Sequence, residues 1–145
     1  MVSNRSIDES AKVLSAGIAA GSTDSQSSSV DMQGYEGCKI YTCFGAIVAG
    51  AVTSVEIQTS SDDSTFNDLA GSSVTVADDD DDDVVIHDIY RPLERYLRVD
   101  VNRATQNATV DYILAVRYGS IKSPATDDAT VISKEIHASP AEGTA

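Results

Sequence analysis

The feature that most limits what this chain can fold into is a two-residue apolar period, repeated in one short run after another with no helical stretch between. In residues 55–60, Val55, Ile57 and Thr59 alternate with Glu56, Gln58 and Ser60; in residues 96–101, Leu97, Val99 and Val101 alternate with Tyr96, Arg98 and Asp100. Successive side chains of a strand point to opposite faces, so each run offers one apolar face to a core and one polar face elsewhere. The cluster Ser61-Asp-Asp-Ser64 follows the first run. Its side chains can bond to nearby backbone amides, which predicts a turn, and the strand pattern resumes at Phe66. Val55, Ile57 and Phe66 are the core candidates of this hairpin.

The same reading predicts strands at 30–33, 38–44, 52–60, 66–69, 74–76, 84–89, 96–101 and 109–118, separated by Gly, Asp, Ser and Asn clusters. Short strands in sequence without helices point to an all-β antiparallel sandwich or jelly roll, and 145 residues suit one domain. The body is expected over residues 30–119. In its last run Val110, Tyr112, Leu114, Val116 and Tyr118 share one face, opposite Thr109, Asp111, Ile113, Ala115 and Arg117. The even-numbered face is the better core candidate.

Residues 1–29 read as an N-terminal arm. Its apolar patch at Val13, Leu14 and Ile18 is followed by a serine-rich stretch, and such a segment buries too little apolar surface to order except by docking. Residues 120–145 read as a C-terminal arm, polar apart from Thr130-Val-Ile-Ser-Lys-Glu-Ile136, whose β-branched residues suit one strand. That piece pairs either with another subunit's sheet edge or back onto its own body. Val13, Leu14, Ile18, Val131, Ile132 and Ile136 are therefore candidate partner contacts.

A formal charge of −13 and a pI near 4.2 argue against nucleic-acid binding, which relies on Lys and Arg displacing counterions from phosphates. Between Ile40 and Tyr90 there is no Lys or Arg, whereas Arg91, Arg95, Arg98 and Arg103 crowd together just after. Arg91 and Arg98 join the candidate partner contacts, because such polarity can orient a domain on a partner. The six consecutive aspartates at 78–83 lack the spacing and glycine of a calcium loop. They read as a solvated hairpin loop, with Asp78, Asp80 and Asp82 as weak candidates for a divalent cation. Cys38 and Cys43 fall on opposite faces of one strand and read as small apolar residues in a reducing compartment. The run Gly45-Ala-Ile-Val-Ala-Gly-Ala-Val52 is far too short to span a bilayer, and no leader pattern precedes it, so a soluble protein made in the cytoplasm is expected.

Chemistry is not signalled. His87 and His137 are far apart in sequence and sit in no zinc spacing, and there is no nucleophile elbow, phosphate loop or dinucleotide turn. No enzymatic activity and no cofactor are expected. With no Trp and two Phe, most of the six tyrosines are expected to fill the core.

Three motifs in order, Val30-Asp-Met-Gln-Gly-Tyr35, Thr59-Ser-Ser-Asp-Asp-Ser-Thr-Phe66 and Ser139-Pro-Ala-Glu-Gly-Thr-Ala145, resemble small β-rich virion proteins of tailed bacteriophages, over roughly residues 30–145. The resemblance implies a head decoration, or cement, protein. It would be made in the host cytoplasm and bound to the major capsid protein on the capsid exterior, often as a homotrimer. Two other readings stand beside it. The hairpin with Arg95-Tyr-Leu-Arg-Val99 is similar to discoidin-like and carbohydrate-binding jelly rolls, and a head–tail connector or tail component of a virion would share the β architecture.

Overall fold

Alternating runs become strands, and the chain passes repeatedly from one sheet to the other, in places through connections as short as three residues. The computed structural model describes residues 5–137 and 141–143. After a 3-10 turn at Arg5–Asp8 come β1 (Ser10–Ser15), β2 (Ile18–Gly21), β3 (Ser25–Gln26), β4 (Val30–Asp31), β5 (Gly37–Ile47) and β6 (Val52–Ser60). Then follow β7 (Asn67–Asp68), β8 (Val74–Val76), β9 (Val84–Tyr90), β10 (Tyr96–Ala104) and β11 (Ala108–Tyr118).

All pairings are antiparallel. In the first sheet β1 and β2 both pair with β11, followed by β5 and β9; in the second, β3 and β4 both pair with β10, followed by β6, which β7 and β8 share. The sheets form a sandwich, a single all-β domain. Its core is aliphatic: Ile40 and Ile113 from the first sheet and Ile57, Leu97, Val99 and Val101 from the second are fully buried. Each such side chain contributes about 1.5–3 kcal/mol over leaving it exposed.

In the described part of residues 1–29 the chain does not stand apart as an arm. Residues 10–26 supply three strands of the body, and Leu14 is a core residue. The buried Arg103 guanidinium explains why this polar stretch orders. Its Nη1 donates to the carbonyls of Ala19 (2.8 Å) and Ala108 (2.7 Å), its Nε donates to that of Thr23 (2.8 Å), and its amide reaches Asp24. The segment docks on its own body through one cation that satisfies several backbone acceptors.

The core face of β11 also differs from expectation. Val110 is buried, but beyond it Ile113 and Ala115 point inward, while Tyr112, Leu114, Val116 and Tyr118 point outward. A bulge is the cause. Val110 faces Phe44 and Tyr112 faces Cys43, so Asp111 is an extra residue and the alternation inverts after it. Gly45 makes room, because a side chain there would collide with the Asp111 carboxylate.

Three smaller corrections follow. None of the six tyrosines is fully buried; Val, Ile, Leu, Met32 and Phe44 fill the space between the sheets, and Tyr35 packs only against its margin. Phe66 is not core either: it lies on the outside of the second sheet beneath the Arg98 guanidinium, 4.0 Å from its ring centre. The aspartate run is no simple hairpin loop. It links β8 of the second sheet to β9 of the first, and its carboxylates accept backbone N–H groups of the β5–β6 turn, Asp81 from Ile47 and Asp78 from Gly50.

The C-terminal segment forms no strand within the described residues. Instead it lies along the outer edge of β1. Ala11 N–H donates to Asp127 (3.3 Å), Val13 N–H to the Thr130 hydroxyl (2.9 Å), and Ala125 N–H to the Ile7 carbonyl (2.7 Å). Lys134 completes the strap, pairing with Asp127 at 2.9 Å and donating to the Glu9 carbonyl at 2.6 Å. An edge that would otherwise expose its amides is thereby covered.

Candidate functional site

The outward side of the first sheet carries the most unusual surface of the molecule. Register places its side chains in rows across four strands. Val13, Leu114, Tyr41 and Ile86 form one row, Tyr112, Cys43 and Val84 the next, and Ala11, Val116, Lys39 and Asp88 a third. Tyr118 and Tyr90 close the face on either side of Gly37, over which the Tyr118 ring lies. Apart from Lys39 and Asp88 these rows are apolar or aromatic. Their exposure is greatest on β9, with Val84 at 48%, Ile86 at 54% and Tyr90 at 58%.

The dimensions follow from strand geometry. Four strands about 4.8 Å apart and seven residues of about 3.4 Å each give roughly 400 Å², as large as the biggest apolar patches usually found on soluble monomers. Such patches are commonly binding sites. A strand buried on both sides is apolar on both, and β11 has that composition although one of its sides faces out.

Polar groups on this face are held in place. The Tyr118 hydroxyl donates to Asp88 at 2.6 Å, and burial followed by the neighbouring carboxylate pushes the Tyr118 phenol well above its ordinary pKa. Tyr90 donates to Glu36 at 3.0 Å, and Glu36 pairs with Arg91 at 3.2 Å. Beyond Tyr90 the surface continues around one end of the sandwich into a shallow depression of about 750 Å³ lined by Leu93, Pro92, Arg91 and Ile121. Leu93 and Ile121 stand almost entirely in solvent there.

The outward side of the second sheet is the opposite in character. Arg98 Nε donates to Gln58 (2.8 Å), Gln58 to Asp68 (2.8 Å) and Asp100 (3.2 Å), Gln26 to Asp100 (2.7 Å), and Asn102 to Glu56 (3.1 Å). Glu56, Asp68 and Asp100 bring carboxylate oxygens within 4.8 Å of one another, the one such convergence among the described residues. A side-chain amide donates to each of the three carboxylates. Asp78, Asp80 and Asp82 form no comparable group: Asp78 and Asp80 accept backbone amides, of Gly50 and Ala77.

The other sequence candidates scatter. Leu14 is core and Ile18 packs against it, Val13 lies half-buried in the apolar rows, and Val131 is half-buried at the strap. Ile132 and Ile136 point to solvent, Arg91 is largely exposed beside Tyr90, and Arg98 is engaged with Gln58 and Phe66. His87 is buried in β9, bonding through Nε2 to the Ser72 carbonyl at 2.7 Å. Cys38 is buried and free, its thiol pushed up to about 12 by loss of solvent, and Cys43 is half-buried in the outer rows. Sequence reasoning missed Tyr41, Val84, Ile86, Tyr112 and Leu114 as surface. The signal that could have found them is β11, apolar on both faces.

No family model and no curated protein sequence matches the chain. Among solved structures it is similar to the PBSX exported protein XepA, with a TM-score of 0.55 and 17% identity over 95% of this chain. The likeness establishes the fold. The chain spans about half the length of that protein, covering 46% of it.

Proposed function

We propose that this chain is a structural protein of a phage particle, a decoration protein that binds the major capsid protein on the outside of an assembled head and reinforces it. One observation carries the reading: the outward side of the first sheet is an unpaired apolar surface, built like a contact face. A sandwich whose second sheet ties its outward polar groups to one another, and whose first sheet turns an apolar face outward, is suited to binding rather than to chemistry. The fold it shares with the PBSX exported protein XepA supports a phage connection, and the order of the sequence motifs points the same way. Its acidic surface keeps such a protein from competing for packaged DNA.

The test mixes purified protein with heads of the encoding phage that lack it. Wild type should co-sediment with heads and raise the temperature at which they release DNA; Tyr112→Glu/Val116→Glu, which places charge in the middle of the face, should do neither. Equal binding by both would remove the face from the account, and no binding by wild type would sink the decoration role. A second reading rests on the four tyrosines Tyr41, Tyr90, Tyr112 and Tyr118 on this face, the residue type with which sugar-binding modules stack rings. Glycan-array binding that Tyr41→Ala abolishes would put that reading first.

A further inference from the structure

Within the described residues the sheet edges are treated unequally. The edges of the second sheet consist of strands of two or three residues, and β1 of the first sheet is covered by the C-terminal strap. β9 is different: seven residues long, continuous in register, without Lys, Pro or bulge, and paired only with β5. Soluble proteins rarely leave such an edge open, because its free amides and carbonyls template another strand.

The chain itself contains a segment suited to that edge. Residues 130–136 are β-branched and apolar enough for a strand, yet they form none, and Ile132 and Ile136 are exposed at 103% and 47%. We propose that residues 131–137 of one copy add as an antiparallel strand to β9 of a neighbouring copy. The reading deepens the decoration role, on which it rests for the purpose of the oligomer.

Sequence and structure together fix a register. With Lys134 opposite Asp88, Ile136 falls opposite Ile86 and Ile132 opposite Tyr90, so one charge pair is flanked by two apolar pairs on the outer face. Shifting the tail by one residue puts Ile132 and Ile136 on the wrong face. Reach is adequate: with Thr130 held on its own β1, Lys134 can extend roughly 14 Å to an adjacent molecule. Lys134 exchanges its bonds to Asp127 and to the Glu9 and Ser6 carbonyls for the neighbour's Asp88, so the gain comes from the backbone ladder and the apolar pairs.

Donor and acceptor lie on opposite edges of the same sheet, the β1 side and the β9 side. The contact is therefore head to tail and closes into a ring when the rotation allows. This also accounts for where apolar exposure concentrates. It is low at Val13, beside the chain's own strap, and high at Val84, Ile86 and Tyr90, where the neighbour's tail would lie.

The experiment uses the full chain. In sedimentation velocity at tens of micromolar, wild type should self-associate, and Ile86→Asp or Ile136→Asp should each weaken association by about tenfold or more, with melting unchanged at dilutions where all are monomeric. In a Cys43→Ser background, separately purified Ile86→Cys and Ile136→Cys chains are mixed and oxidised. A disulfide dimer that needs both variants is expected, and the out-of-register pair Val84→Cys with Ile132→Cys should give none. A monomeric wild type, a cross-link formed by Ile86→Cys alone, or equal cross-linking by the out-of-register pair would overturn the proposal. Head binding is not part of this readout, so failure to decorate heads would remove the decoration role and leave this test standing.

Discussion

The two outward faces of the sandwich are built from similar lengths of strand and do opposite things. On the second sheet, Gln26, Gln58, Arg98 and Asn102 supply donors to Asp68, Asp100 and Glu56, so the surface is complete in itself. On the first sheet, rows of Val, Ile, Leu and Tyr have no such closure and, among the described residues, no covering layer. A polar network that satisfies its own members has little to gain from a partner, whereas an apolar face gains roughly 25 cal/mol for each Å² it removes from water. The proposed contact side rests on this difference and not on sequence similarity.

The sharpest way to break this comparison is within β11, where adjacent residues face opposite ways. Ile113→Ala should cost about 3–4 kcal/mol of stability in chemical denaturation, because it opens a cavity in a fully buried site. Tyr112→Ser, one residue earlier and pointing outward, should leave stability nearly unchanged. If the two variants were equally destabilising, the bulge at Asp111 would not be inverting the strand.

On the second sheet Asp100 is the hub, largely buried and accepting from both Gln26 and Gln58. Asp100→Ala should cost about 1–2 kcal/mol by leaving those amides without their acceptor, and should leave self-association untouched. A change in association would mean that this face also makes contacts.

A smaller effect is expected with pH. The paired bonds from Arg95, at 2.9 and 2.8 Å, hold the Asp31 carboxyl below its usual range. A lowered folded-state value means that the pair contributes above the unfolded pKa of about 3.9 and that the contribution fades as pH falls through the folded value. Melting temperature should therefore decline below about pH 4, by less in Asp31→Asn than in wild type. The pair is partly exposed, so the difference should be modest.

Much of this architecture was legible in the sequence because period-two alternation survives in strands that face water on one side. The strands β5, β6, β8, β9, β10 and β11 fall where their patterns place them. The N-terminal strands were not legible, for a physical reason. Ser10–Ser15 and Ile18–Gly21 are short and mixed in character; the first is held by its ladder with β11, and the second and the residues after it by Arg103, some eighty residues away, donating to Ala19 and Thr23. Local pattern carries no trace of such a contact.

The outward face of the first sheet was misread through a single inserted residue. Even-numbered positions of β11 look like core and are core at Val110, but Asp111 turns the rest outward. The tyrosines followed the same error, since the sequence shows their number but not that aliphatic residues already fill the interior. A strand apolar on both sides, in a fold with only two layers, was the available warning.

The most direct test of the account is hydroxyl-radical footprinting of the tyrosines, comparing dilute free chain with chain bound to heads. Tyr41, Tyr90, Tyr112 and Tyr118 on the first sheet should lose reactivity on binding, while Tyr96 on the second sheet keeps its own. Protection of Tyr96 with the other four unchanged would contradict the assignment of the contact face.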